Sequence, residues 1–199
     1  ARRCLPILRL AGKAPRRRRP VNSALDAMAI RRANSQDASA IAEVQVRSWQ
    51  RAYSHLLPAD WLASMSVEAR ASKWQEILAS EHAVAIASND GEVVGFVSAG
   101  VCRDADRLPG QYEIYALYVL PECWSQGQGS ALLQWAIEQA STAQARSISL
   151  WAIVGNERAA TFYARHGFSV QAGSRQAFEL AGLTLHEDRL VLSIAQNGV

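Results

Sequence analysis

The chain has 199 residues, about half of them hydrophobic and a fifth charged. That balance suits one globular domain with a sizeable core and excludes a disordered or fibrous chain. No apolar run reaches the length of about 18 residues that a membrane span needs, and the three cysteines, Cys4, Cys102 and Cys123, form no CxxC pair. They argue against a disulfide framework or a structural zinc site and fit a reducing, cytoplasmic setting.

The net charge of +3 hides an asymmetry. Residues 1–27 carry eight basic side chains against Asp26 alone, whereas 28–199 carry thirteen basic against seventeen acidic ones. The basic character belongs to the tail, so the folded part gives no reason to expect nucleic-acid binding. The RRRRP run at 16–20 resembles a localisation or nucleic-acid patch, and the Arg-rich stretch weakly resembles a transit peptide. The reading adopted is a disordered extension over 1–27, ahead of a natural start at Met28, with one domain over 28–199.

In chain order, residues 28–33 predict a short strand. Ser35 is the expected N-cap of a helix with Asp37 in its first turn, where a negative charge suits the macrodipole. Ile41, Val44, Trp49 and Ala52 lie near one face of that helix, and Leu57-Pro58 ends it. A second helix is expected over Pro58 to Leu78. The period then changes. Residues 83–88 and 92–101 predict a hairpin around Asn89-Asp90-Gly91, a turn whose residues tolerate positive φ. Another turn at Leu108-Pro109-Gly110 leads to a strand over 112–120. A helix over 129–143, a strand over 147–153 and a helix over 156–166 follow. Residues 168–172 and 188–194 close the pattern as strands around a loop near Gly182. Hairpin strands followed by a strand–helix–strand unit imply a mixed α/β sheet with helices on both faces.

The passage LYVLPECWSQGQGS, residues 117–130, runs from the end of a strand into a helix. Pro121 suits the exit from a sheet. Gly127 and Gly129 let the backbone turn tightly and approach a ligand, and unpaired N–H groups at a helix start favour a phosphate. A P-loop is excluded because no Lys follows the glycines. A dinucleotide fingerprint is excluded because Leu132 stands where its third glycine would be.

Downstream, Asn156 to Phe168 reads NERAATFYARHGF. This segment resembles the N-x-x-A-x-x-F-Y-x-x-x-G-F pattern of the GNAT (GCN5-related) N-acetyltransferase superfamily. LYVLPE and the glycine loop resemble that family's acetyl-CoA motif. IRRANSQDASAIAEV at 30–44 resembles its first strand and helix, and SWQRAYSHLLPADWL at 48–62 one broad bacterial-type subgroup. The resemblance spans about 28–194. Two departures stand out: Trp124 replaces the usual Gln or Arg, and Ser125 stands where glycine is common.

The resemblance implies a mostly antiparallel sheet in which two parallel strands, 112–120 and 147–153, splay into a cofactor cleft. It implies acetyl-CoA as cosubstrate, with no metal. Backbone groups of Leu117, Tyr118 and Val119 would line the pantetheine arm, and the Val119 N–H would polarise the thioester carbonyl. Trp124, Ser125, Gln126, Gly127, Gln128, Gly129 and Ser130 would surround the pyrophosphate, and Asn156 would bond the cofactor arm. Tyr163 matches the family's general acid. A phenol near pKa 10 facing a thiol near 8.5 makes full proton transfer uphill by roughly 2 kcal/mol, so the hydroxyl stabilises the thiolate by hydrogen bonding as much as by donation.

Some relatives carry a Glu five residues before the motif Asn; here that position is Trp151. Glu113 is the base candidate instead, six residues before Val119 and so on the same face of a regular strand. His55, His82, His166 and His186 show no metal-ligand spacing, and nothing makes Cys123 a nucleophile. Trp49, Tyr53 and Trp61 line an acceptor pocket or belong to the core, with Trp49 assigned to the core. The expected function is acetyl transfer to a primary amine of a small molecule or peptide, with neither membrane nor nucleic acid as partner and a homodimer left open. The alternatives are a non-catalytic acyl-CoA sensor and nucleic-acid binding through the Arg tail.

Overall fold

A computed structural model describes residues 28–80 and 82–195; the basic tail, and with it the reading of 1–27, lies outside the described residues. Eight strands form one sheet: β1 (Met28–Arg32), β2 (Ala83–Asn89), β3 (Glu92–Val101), β4 (Gln111–Val119), β5 (Ser147–Ile153), β6 (Ser169–Val170), β7 (Gln176–Leu180) and β8 (Leu183–Ser193). The order is β1-β2-β3-β4-β5-β8-β6, with β7 paired to β8. Every pairing is antiparallel except β4 with β5. Among the described residues five α-helices flank it: α1 (Ala38–Ala52), α2 (Ala59–Ala63), α3 (Val67–Leu78), α4 (Gln128–Thr142) and α5 (Glu157–Arg165). Among the described residues no helix is long and apolar enough to cross a membrane.

The expected hairpin is present. Asp90 and Gly91 both have positive φ, +49° and +88°, which matches the right-handed twist of the flanking strands. Three expectations need correction. The first N-cap is Asn34, not Ser35: its side chain accepts from the Gln36 N–H at 2.9 Å, while Asp37 accepts from the Asn34 N–H at 2.8 Å. Arg31 grips the Asp37 carboxylate at 2.7 Å and holds its pKa below the usual range. The expected helix over 58–78 is two helices, because Ser66 starts a new one by accepting from the Ala69 N–H at 3.0 Å. The closing region holds a third strand, β7, which forms a hairpin with the first half of a longer β8.

Helices cover both faces. Adjacent strand residues point to opposite sides, and in β3 they meet different helices. Phe96 packs edge-on to Trp74 of α3, centroids 4.9 Å apart, while Gly95 leaves room for Leu132 of α4. Phe96, Ile41, Ile86, Leu132, Leu133 and Ile148 are fully buried.

Phe96→Ala removes the largest of these side chains and should lower stability by about 3–5 kcal/mol. Urea unfolding checks this as a drop in the transition midpoint at unchanged slope.

Candidate active site

The parallel pair β4–β5 is joined only at one end. Gln111, Tyr112 and Glu113 pair with Ser147, Ile148 and Ser149, and the strands then diverge. On its other side β4 stays bonded to β3: the Leu120 N–H donates to the Val94 carbonyl at 2.8 Å. Hydrogen-bonding directions alternate along an antiparallel pair. Tyr118, two residues back, therefore bonds toward β3, and the peptide groups of Leu117 and Val119 turn toward the gap. The Val119 carbonyl is already taken there. It accepts from the Trp124 indole N–H at 2.7 Å and from the Ser48 hydroxyl of α1 at 3.0 Å. The Val119 N–H, the other backbone group of this residue, points to the same side and is left facing the gap.

The gap opens into a cleft of about 780 Å³. Its floor is the outer edge of β4, one wall is α5, and its mouth is the loop before α4. That loop turns on Gly127, which takes φ +97° as the N-cap of α4 and offers no side-chain cap to the first helical N–H groups. Those donors and the positive end of the helix dipole are left for an anion. Gly129 lies against α5: a Cβ there would sit 3.4 Å from the Phe162 ring, in ordinary van der Waals contact. Beside it, His166 Nδ1 lies 2.8 Å from the Phe162 carbonyl and Nε2 lies 3.0 Å from Ser130 Oγ. A carbonyl can only accept, so Nδ1 carries the proton.

Tyr163 lines the same cleft, buried between Phe162 and Phe168. Burial pushes its phenol well above the ordinary value, with Tyr53 adding to the effect. Tyr53, at the end of α1, lines the opposite wall; burial also raises its pKa, offset in part by the Asn156 side chain. Asn156 caps α5 by accepting from the Ala159 N–H at 3.1 Å. Its oxygen is thereby committed to the helix, and its amide NH₂, with two N–H donors, is the group that meets the Tyr53 hydroxyl at the cleft wall.

Residues 39–168 match the family model described as the acetyltransferase (GNAT) family. The chain is also 33% identical over 159 residues to YuaI of Bacillus subtilis, an uncharacterized N-acetyltransferase, covering 79% of this chain and 88% of that protein. The chain belongs to the GNAT acetyltransferase family. The fold of GNAT enzymes is evident in solved structures as well. PaiA N-acetyltransferase of Thermoplasma acidophilum, in complex with coenzyme A, superposes with a TM-score of 0.67 at 20% identity, over 84% of this chain and 99% of that one. YncA of Salmonella typhimurium, with its cofactor acetyl-CoA, gives 0.64 at 21% identity, over 87% of this chain and 97% of that one.

Within this GNAT cleft the structure gathers most of the residues expected from sequence. Leu117, Tyr118, Val119, Trp124, Ser125, Gly127, Gly129, Ser130, Asn156 and Tyr163 all line it. Gln126 and Gln128 do not. Gln126 donates to the Glu122 carbonyl at 2.8 Å. Gln128 is buried beneath the loop, its amide against the Cys123 carbonyl at 3.0 Å and the Asn89 amide at 3.1 Å. Both brace the loop from outside.

Glu113 is not brought to the cleft. The register passes from Ser98↔Ala116 to Ala99↔Ile114, so Tyr115 is an extra residue in β4. That bulge breaks the alternation on which a shared face with Val119 was inferred. The Glu113 carboxylate is buried against Arg103, which donates through its backbone N–H at 2.9 Å and its guanidinium at 2.7 and 3.2 Å. Cys102 and Asp104 lie nearby, their ligand atoms within 4.8 Å of a Glu113 oxygen, but Asp104 is held by the Trp151 indole at 3.0 Å and by Arg189 at 3.1 Å. Ser48 and Arg158 are among the cleft residues that went unnoticed in the sequence. Ser48 carries no local signal, whereas Arg158 lies inside the recognised segment.

Burial raises the phenols of Tyr53, Tyr118 and Tyr163, and that of Tyr115 to about 12. The folded state therefore keeps protons that the unfolded chain releases near pH 10. Stability should be insensitive to these groups below about pH 10 and fall steadily above it. Thermal unfolding from pH 8 to 11 checks this. Tyr163→Phe should make the alkaline decline shallower.

Proposed function

We propose that the chain moves the acetyl group from acetyl-CoA to a primary amine of a small molecule or peptide, by direct attack in a ternary complex. One observation carries the reading: the free edge of β4 at Leu117 and Val119, the uncapped start of α4 and the Tyr163 hydroxyl all face one cleft. These are a strand edge for an amide-containing arm, a helix terminus for a pyrophosphate, and a donor for a leaving sulfur.

The residues divide the work as follows. The peptide edge of Leu117 and Val119 aligns the pantetheine amides as a partial extra strand, with the Asn156 NH₂ as a further donor. The start of α4, from Gly127 to Ser130, holds the pyrophosphate. The Val119 N–H meets the thioester oxygen as negative charge develops there. Trp124 and Ser48 hold the Val119 carbonyl, and the Leu120 N–H of the same peptide is bonded to β3, so the residue that carries the donor is steadied before the substrate arrives. As the amine nitrogen bonds to the carbonyl carbon and the C–S bond breaks, the Tyr163 hydroxyl hydrogen-bonds the leaving thiolate. Its raised pKa makes complete proton transfer still less favourable than for an ordinary phenol, so stabilisation outweighs donation. The proton lost by the amine leaves through water at the open mouth. Glu157, exposed at the start of α5, is the carboxylate among the described residues that line the cleft.

The test is release of free CoA thiol from acetyl-CoA across polyamines, aminoglycosides, amino acids and peptides. At least one amine class should accelerate release, and Tyr163→Phe should lower turnover roughly 10- to 100-fold, the worth of a hydrogen bond to a charged atom, with little change in acetyl-CoA affinity. Tight acetyl-CoA binding without release by any amine would favour a sensor instead. Unchanged turnover in the variant would remove Tyr163 from the mechanism.

A further inference from the structure

The mouth of the cleft holds a cation that neither the loop backbone nor the acetyl-transfer step uses. Arg158 stands in the first turn of α5, on the wall facing the loop. Its guanidinium lies over the Trp124 ring, 4.1 Å from the centroid, and donates to Ser125 Oγ at 3.1 Å. Among the described residues it pairs with no carboxylate, unlike Arg31, Arg103, Arg175 and Arg189. Ser125 has φ +62°, a left-handed conformation that a residue with a Cβ adopts only when its surroundings enforce it. Both departures from the commonest form of the loop, Trp124 and Ser125, thus contact the same guanidinium.

We propose that Arg158 binds the 3′-phosphate on the ribose of CoA and makes the cleft selective for CoA over its 3′-dephospho form; this rests on the acetyl-CoA reading above. The N–H groups from Gly127 onward serve the pyrophosphate. Along α5, Phe162 is the residue against Gly129 and His166 the one against Ser130. Arg158 lies four and eight residues before these, which is about 6 and 12 Å along a helix axis. It therefore sits to one side of the helix-terminus cradle, where a phosphate one sugar removed from the pyrophosphate falls. Chemistry agrees with position. A guanidinium is a planar fork that meets a phosphate through two parallel hydrogen bonds. Stacking on Trp124 holds that fork in place beforehand, so less side-chain freedom is lost when the ligand docks.

Calorimetric titration of the full chain with acetyl-CoA and with 3′-dephospho-acetyl-CoA, at one fixed salt concentration, tests this. The wild type should bind acetyl-CoA about tenfold or more tightly than the dephospho compound, the worth of a charge-assisted hydrogen bond. Arg158→Ala should bring acetyl-CoA down to the dephospho level and leave the dephospho compound unaffected. Arg158→Lys, which keeps charge but loses the fork, should fall between. The proposal is overturned if the wild type binds the two compounds equally, or if Arg158→Ala weakens both alike, since the guanidinium would then serve the pyrophosphate or the loop. Should the Ala variant fail to fold, the wild-type ratio and its reduction in Arg158→Lys decide the matter. A wild type that binds neither compound would remove the acetyl-CoA reading itself, an outcome distinct from equal binding.

Discussion

A peptide group inside a protein must find a hydrogen-bond partner, and the divergence of β5 from β4 leaves part of one strand without its neighbour. The rest of the site follows from that constraint. The Val119 carbonyl is rescued by two side chains from different parts of the chain, Trp124 five residues on and Ser48 seventy-one residues back. The Val119 N–H stays turned to the gap. The alternation that bonds Leu120 to β3 also fixes where Leu117 and Val119 point. A site built this way keeps its donor on a rigid sheet, which limits the reorganisation needed when charge develops on a bound oxygen.

The loop that closes the cleft divides its work between backbone and side chains. Gly127 is needed for a backbone angle, and Gly129 packs beside Phe162. The glutamines between and before them face away from the ligand side and tie the loop to Glu122, Cys123 and Asn89. In the proposed function phosphate recognition is backbone chemistry, which leaves these glutamine side chains to brace the loop. It also leaves Trp124 and Ser125 open to take on work beyond the backbone's, as their shared contact with Arg158 indicates.

Most of this was legible in the sequence because it is local. The Asn89-Asp90-Gly91 turn, the strand–loop–helix passage at 117–130 and the Asn156 to Phe168 segment each state their geometry within a few residues. What failed was either irregular or distant. Glu113 was placed on the Val119 face by counting along a regular strand, and Tyr115 is the extra residue that spoils the count. Nothing in YEIYALYVL announces a bulge, since its cause lies in the pairing with β3. The partnership of Ser48 with Val119 depends on how α1 packs across β4. The strand β7 was missed because its residues are mostly exposed and carry little apolar alternation; it exists through its hairpin with β8.

The proposed function requires the free edge of β4 to receive the acetyl-CoA arm. Residue-resolved amide hydrogen exchange, with and without acetyl-CoA, measures whether it does. The Leu117 and Val119 amides should exchange markedly more slowly when the ligand is present, while Tyr118, already bonded to β3, should change little. Ligand saturation that leaves the exchange of Leu117 and Val119 unaltered would contradict the account.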